Sequence, residues 1–524
     1  MIKYISRSKI IQCNRFFGTR WSSTAALVGK AEELVEPSKT LTRETMNPFI
    51  RNAEYAVLGD LPARAEVINK TLKTDPGRFK FDNVIFCNIG NPHIFNQKPI
   101  TFFRQVASLC ENQDLLKKEN REIVSKLYPE DAIARAETLL EHIGYLGAYS
   151  DAQGIDHIRK NIAKFIERRD GYRADPESIF LTQGAGEGIQ RVLSMLNQPN
   201  HPQTTGVMIP IPQYPIYTAA LQMMGAEPVP YYLDEKKSFA LDLSRLQKSI
   251  HEARQKNIHV RALAVINPGN PTGQCLPKEN IREIIQFCHE EKLIALADEV
   301  YQDNIFQPKD HPFHSFKRVL MSMDPKYSQH QELFSFHSVS KGMVGECGRR
   351  GGYVECVNID PGVMEELYKV FCIFSGSNTQ GQIMVDLMTN PPVKGDPSYP
   401  QYKAEVDAIH TSYHRRAQHL ADCFNRLEGV TCEHAKGAMY LFPQIRLPKK
   451  AIEEAKRAHM SPDSFYGMAL LNATGICVVP GSGFGQEPGT LHIRCSFLPE
   501  ESLFDKLCKN IEQFHKEFMM KYKD

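Results

Sequence analysis

The chain has 524 residues, 63 Lys and Arg against 61 Asp and Glu, and a formal net charge of +2. That length argues for at least two domains, and 42% hydrophobic with 24% charged residues fits a folded globular protein. The balanced charge leaves no excess of cations for phosphate backbones, which argues against nucleic acid as the main partner. No apolar run approaches the roughly 18 residues of a membrane helix, so no membrane role is expected. Thirteen scattered cysteines without a C-x-x-C pair read as small buried hydrophobes. Neither a metal site nor a disulfide scaffold is expected.

In chain order, residues 1–30 stand out first. They hold Lys3, Arg7, Lys9, Arg15, Arg20 and Lys30 and no acid, interleaved with Ile2, Ile5, Ile10, Phe16 and Phe17. Without them the chain carries a net charge of −4. A basic, Ser-containing, acid-free leader predicts a mitochondrial targeting segment and location in the matrix. Residues 31–104 are expected to form an N-terminal arm and part of a small domain. Residues 105–397 then read as a large domain, and residues 398–524 as a connecting helix and the rest of the small domain.

Within the large domain, short apolar runs alternate with helical patterns. Ile179-Phe180-Leu181 precedes a glycine turn, after which Ile189, Val192, Leu193 and Leu196 recur at helical spacing. Gly206 to Ile209 ends in prolines, and Leu263 to Ile266 runs into Asn267-Pro268-Gly269-Asn270-Pro271. A helix opened by Pro277 carries Ile281, Ile284, Ile285 and Cys288 on one face. Leu293 to Leu296, Leu333 to Phe336 and Tyr353-Val354 complete the strand set. Nearly all-apolar strands separated by helices predict an α/β fold, with a mostly parallel sheet flanked by helices. From Gln401 to about Leu427 one long charged helix is expected, leading into a smaller, discontinuous α+β domain.

Ligands of an open parallel sheet sit beyond the carboxyl ends of its strands. The residues found there are Gly184-Ala185-Gly186, Tyr214, Asn270, Asp298 with Tyr301, Ser338 with Lys341, and Arg350. They offer an amine, an acid, phenols, an amide and phosphate donors, a combination that suits pyridoxal phosphate. Asp298 ends a hydrophobic strand, where a lone charge is costly unless paired, for example with a protonated pyridine nitrogen. A helix-capping role is its plain alternative. Lys341 follows an apolar strand, as a Schiff-base lysine must, although most lysines are surface residues. Ala185 and Gly186 open a helix whose free N–H groups favour an anion, with Ser338 and Arg350 as further donors. Tyr214 has a flat ring to stack, and Asn270 and Tyr301 have donors for a phenolic oxygen. An Asx turn and a core tyrosine are their alternatives. The glycines of Gly184 to Gly188 and Gly481 to Gly485 are misplaced for G-x-G-x-x-G, so a nicotinamide dehydrogenase is disfavoured.

At these positions the sequence resembles the class-I, fold-type I pyridoxal-phosphate aminotransferases. The resemblance rests on Pro210-Ile211-Pro212-Gln213-Tyr214-Pro215, Asn267 to Gly273, Leu296 to Asn304, Ser340-Lys341-Gly342, Gly345 to Gly348, Arg350 to Tyr353 and Val479 to Gly485. It implies a homodimer with shared active sites and pyridoxal 5'-phosphate as cofactor. The implied roles make Lys341 the lysine that carries the cofactor and shuttles protons, with Asp298 on the ring nitrogen. Asn270 and Tyr301 would meet the ring hydroxyl, Tyr214 would stack, and Ala185, Gly186, Ser338 and Arg350 would hold the phosphate. Tyr149 would reach the phosphate of the neighbouring subunit. Arg494 would take the substrate α-carboxylate, with Gly90 and Asn270 bordering the substrate. Gly186 departs from the family pattern, which carries serine there. The implied reaction is L-alanine with 2-oxoglutarate to pyruvate and L-glutamate. Rival readings are a lyase, an aminotransferase using glyoxylate or aromatic donors, and a non-catalytic pyridoxal-phosphate sensor.

Overall fold

The structure, a computed structural model, describes residues 39–53, 55 and 59–523. The targeting segment read at residues 1–30 lies outside them. The chain divides into two units, Met1–Pro48 and Phe49–Asp524. In the first, the Thr45 hydroxyl donates to the Thr40 carbonyl (2.9 Å) and closes a turn. Everything that follows belongs to the second.

Its first strand, β1 (Ile85–Phe86), is short. Seven strands then build the central sheet: β2 (Ile179–Thr182), β3 (Thr204–Ile211), β4 (Glu227–Tyr232), β5 (Ile258–Ile266), β6 (Ile294–Asp298), β7 (Leu333–Ser338) and β8 (Gly352–Val357). Their order is β2-β8-β7-β6-β5-β3-β4, parallel throughout β4 to β7, with β8 antiparallel to both its neighbours. The side chains of β3 and β5 alternate between two cores because successive residues of a strand face opposite ways. Met208, Leu263 and Val265 pack with Leu246, Ile250, Ile281 and Ile284 on one face. Val207, Ile209, Ala262 and Ala264 pack with Ile189, Val192 and Leu193 on the other. Each fully buried Val, Leu, Ile or Met side chain contributes roughly 1.5–3 kcal/mol, and covering both faces explains the all-apolar strands.

Every strand expected in this region is present, but β4 has no counterpart among the expectations. Its Pro228 and Pro230 argue against a strand, and it survives because it pairs only with β3, at the sheet edge. There a missing N–H breaks no ladder. The long helix runs Tyr399–Asn425, two residues earlier than expected, because Pro400 sits in its first turn. A first-turn N–H has no intrahelical acceptor, so proline costs nothing there.

The remaining strands are β9 (Val430–Thr431), β10 (Tyr440–Leu441), β11 (Gln444–Ile445), β12 (Ile476–Cys477), β13 (Val479–Pro480) and β14 (Ile493–Ser496). An antiparallel sheet of order β10-β14-β13 carries Tyr440 and Arg494. β1 pairs with β12, while Ala65, Ile68 and Leu72 of the helix Asp60–Thr74 pack with Leu471 and Cys477. The chain before residue 100 is thereby tied to its far end. Among the described residues the cysteines are free and mostly buried, no helix is long and apolar enough to cross a membrane, and no His/Cys/Asp/Glu cluster has the geometry of a metal site.

Candidate active site

The ends of β6 and β7 bring an acid and an amine together. Asp298 is the last residue of β6 and only 4% exposed. Burial pushes its carboxyl up to about 6, against the lowering effects of the Val300 N–H and of Lys341. Among the described residues Lys341 is the only cation whose charge reaches it. The Tyr217 hydroxyl lies close enough to lower that value yet forms no hydrogen bond of normal length. The Lys341 ammonium, three residues past β7, donates to the Gly90 carbonyl at 2.7 Å. It also stands 5.9 Å from the centre of the Tyr301 ring.

A second group forms around the first turn of the helix Ala185–Leu196. Gly184 caps it with φ 88° and ψ 160°, a conformation that L side chains rarely adopt. A Cβ on Gly184 would lie 3.0 Å from Arg350 Nη2, so that glycine also makes room for the guanidinium. Arg350 donates to the Gln183 carbonyl at 2.5 Å and to the Cys347 carbonyl at 3.3 Å. The Ser338 hydroxyl donates to the Gly351 carbonyl at 3.0 Å and accepts from Ser340 N at 3.1 Å. Glu187 is the acid here, and it is already engaged by Gln183 N (2.7 Å) and by Arg191. Helix N–H groups, a guanidinium and a hydroxyl thus converge as anion donors. Gly186 has a packing reason for lacking a side chain: a Cβ would meet Ile216 Cδ1 at 2.8 Å.

Arg494 is 3% exposed, with its guanidinium between the Tyr440 ring at 4.2 Å and the Phe484 ring at 4.7 Å. It donates to the Asn270 side-chain oxygen at 3.2 Å and to the Asn88 carbonyl at 2.6 Å. Its Nε is buried without a partner, an open donor for a carboxylate. Tyr214 is half-buried, its hydroxyl 3.0 Å from that of Tyr55. Tyr301 is buried and donates to the Tyr440 hydroxyl at 3.3 Å.

The structure therefore gathers Lys341, Asp298, Tyr301, Asn270, Tyr214, Arg494 and Gly90, and beside them Ala185, Gly186, Ser338 and Arg350. Tyr149 stands apart, 88% exposed. Sequence reasoning missed Tyr440, Phe484, Asn88, Tyr217 and Tyr55, which lie off the ends of the parallel strands or show no motif. A cavity of about 90 Å³ opens behind Asn270, lined by Tyr231, Lys237, Gln274, His311 and Lys436. It shares Asn270 with this site but neither Lys341, Asp298 nor Arg494, so the chemistry lies outside it.

The family model described as aminotransferase class I and II matches residues 106–511. The chain belongs to the class I and II aminotransferases. Among curated members, a protein named probable alanine aminotransferase, mitochondrial, from Dictyostelium discoideum is 48% identical over 496 residues, 94% of this chain and 92% of that one. Glutamate–glyoxylate aminotransferase 1 of Arabidopsis thaliana is also 48% identical, over 92% of this chain and 98% of its own length. The human alanine aminotransferase 1 is 45% identical over 93% of this chain and 96% of its own. Among solved structures, an alanine aminotransferase from Pyrococcus furiosus superposes with a TM-score of 0.69, 21% identity and coverage of 90% and 99%. That likeness establishes the fold-type I α/β architecture.

Class I and II aminotransferases use pyridoxal phosphate, and the side chains present here fit it. Asp298 is a buried acid lacking the cationic partner that would compensate its burial, and a protonated pyridine nitrogen supplies one. The Gly184 turn with Arg350 and Ser338 is a cradle for a phosphate dianion, and Lys341 is an amine within the same enclosure.

Proposed function

We propose that this aminotransferase exchanges the amino group between L-alanine and 2-oxoglutarate, giving pyruvate and L-glutamate, with pyridoxal 5'-phosphate as its cofactor. The observation that carries the reading is the unpaired, buried Asp298 beside Lys341. When bound, the cofactor supplies an aldehyde for covalent capture of the amino group and a cationic ring that withdraws electrons from the α-carbon. Lys341 would carry the cofactor, and its Nζ, once free, would take the substrate α-proton. Asp298 would keep the ring nitrogen protonated, and Asn270 and Tyr301 would meet the ring hydroxyl. Tyr214 would stack on the ring, while Ala185 N, Gly186 N, Ser338 and Arg350 would anchor the phosphate. Arg494 binds the α-carboxylate with its open Nε, and its aromatic walls exclude the water that would weaken that ion pair. Gly90 borders the substrate.

Alanine as donor is supported by relatives of that name at 48% and 45% identity. Glyoxylate is kept as a second acceptor because a glutamate–glyoxylate aminotransferase is equally similar. The pairing of β1 with β12 supports the reading of residues 31–104 as an N-terminal arm and part of a small domain, residues 398–524 as a connecting helix and the rest of it, and residues 105–397 as the large domain. The exposed Tyr149 suits a homodimer in which it reaches the neighbouring site. The basic leader of residues 1–30 and the mitochondrial relatives support location in the matrix.

Steady-state kinetics test the reaction. With alanine and 2-oxoglutarate varied together, double-reciprocal plots are expected to be parallel, because the amino group rests on the enzyme between two half-reactions. Intersecting lines, or a preference for phenylalanine over alanine, contradict the proposal.

A further inference from the structure

We propose that Tyr440 is a further catalytic residue, whose hydroxyl oxygen exchanges a proton with the Lys341 amine during turnover. The inference rests on the transamination reading above and assigns a role to a side chain outside the parallel-strand ends.

The geometry centres on Gly90. A Cβ built there would lie 1.9 Å from Tyr440 Oη, 3.0 Å from its Cζ and 3.3 Å from Lys341 Nζ. The missing side chain is what admits the phenol, and the phenol oxygen and the amine share the space beside that one backbone atom. Lys341 is half-buried and held there by the Gly90 carbonyl, and Tyr440 is 2% exposed, so the phenol is closed to bulk water on its own side of the pair.

The surrounding charges favour an ionised phenol. Arg494 from β14 lies over the ring at 4.2 Å, and Lys341 approaches from the loop after β7. Tyr301, from the end of β6, donates to Tyr440 Oη at 3.3 Å, so Tyr440 is the acceptor of that pair and its own proton is the movable one. Cys347, on the same loop as Lys341, opposes ionisation. Tyr214 after β3 and Tyr413 of the long helix are neutral phenols within electrostatic range. Burial pushes the Tyr440 phenol up, but Lys341, Arg494 and the Tyr301 bond together bring it below its ordinary value, while Tyr301 is pushed well above.

The step is balanced between two side chains. An N–H bond of the Lys341 ammonium breaks as an O–H bond forms on the Tyr440 phenolate, freeing the amine lone pair. The reverse transfer restores both. Lys341 thereby arrives at the substrate α-carbon able to accept a proton, without waiting for bulk solvent.

The test compares wild-type holoenzyme with Tyr440→Phe, which keeps the ring over Arg494. The expected result is a kcat for alanine reduced about 100-fold with KM unchanged within about three-fold. The second readout is the ultraviolet tyrosinate band during a pH titration of the cofactor-free protein, in which the Lys341 amine is free. Wild type is expected to show one tyrosine ionising below the others, and the variant to lack it. Wild-type kcat in Tyr440→Phe overturns the proposal. So does a wild-type titration without an early tyrosinate, which needs no variant to fold. A lower kcat with an unchanged titration assigns Tyr440 a structural role and also overturns it. Because the titration is read without turnover, its failure is separable from a failure of the transamination reading, which wild-type substrate kinetics report.

Discussion

Two residues bear most of the geometric constraint at the catalytic end of the site. Gly90 is the space into which the Tyr440 hydroxyl projects, and nothing larger fits without moving it. Gly90→Ala is expected to lower kcat at least ten-fold, and adding Tyr440→Phe to it is expected to relieve packing, raising thermal stability relative to the single variant. A double variant no more stable than Gly90→Ala contradicts that packing account. Asp298 is the other. Its carboxyl is raised from 3.8 to about 6, so between those values the folded, cofactor-free chain holds a proton that the unfolded chain has lost. Asp298 therefore contributes a loss of about 3 kcal/mol to the stability of that form as pH rises through this window, at 1.36 kcal/mol per pH unit, and the buried His337, pushed down to about 3, contributes in the opposite sense. The buried Glu299, pushed up to about 8, continues the decline above it. Asp298→Asn is expected to flatten the lower part of the curve and to stabilise the cofactor-free protein at pH 7 while abolishing activity. Denaturant unfolding from pH 4 to 7 reads this directly, and an unchanged slope refutes it. At this scale the sequence revealed the chemically loud residues, Lys341 and Asp298, because an amine and an acid follow apolar strands. It concealed Tyr440, because a tyrosine in a two-residue strand looks like any core aromatic.

Among the elements, position relative to strand ends did the sorting. The strands β2, β3, β5, β6, β7 and β8 announce themselves as apolar runs because both faces of the sheet are covered, and their carboxyl ends locate most of the site. β4 could not be read the same way: an edge strand tolerates Pro228 and Pro230, which in a central strand would be disqualifying. Arg494 and Phe484 come from the far end of the chain and meet Asn270 and Asn88 only through tertiary packing, which no local spacing encodes. The turn at Gly184 is the element whose conformation is most demanding. Gly184→Ala there is expected to cost about 1–3 kcal/mol in a conformation L residues avoid and to crowd Arg350. Cofactor titration of the variant should show affinity reduced about ten-fold or more; affinity equal to wild type would detach this turn from phosphate binding.

Across the whole molecule, the described second unit assembles its site from residues as distant in sequence as Gly90 and Arg494, joined through Asn88, Lys341 and Tyr440. Composition argued against nucleic-acid and membrane roles, the alternation of strands and helices pointed to the α/β class, and the pairing of β1 with β12 joins segments too far apart in the chain for local spacing to link. The proposed chemistry reduces to one covalent relation, between the Lys341 amine and the aldehyde of a cofactor whose ring nitrogen Asp298 would hold protonated. Borohydride reduction of the purified protein, followed by digestion and mass spectrometry, fixes that bond where it formed. The account predicts a single reduced cofactor adduct on the peptide carrying Lys341, absent in Lys341→Ala. An adduct on a different lysine, or none in a preparation that transaminates alanine, would contradict it.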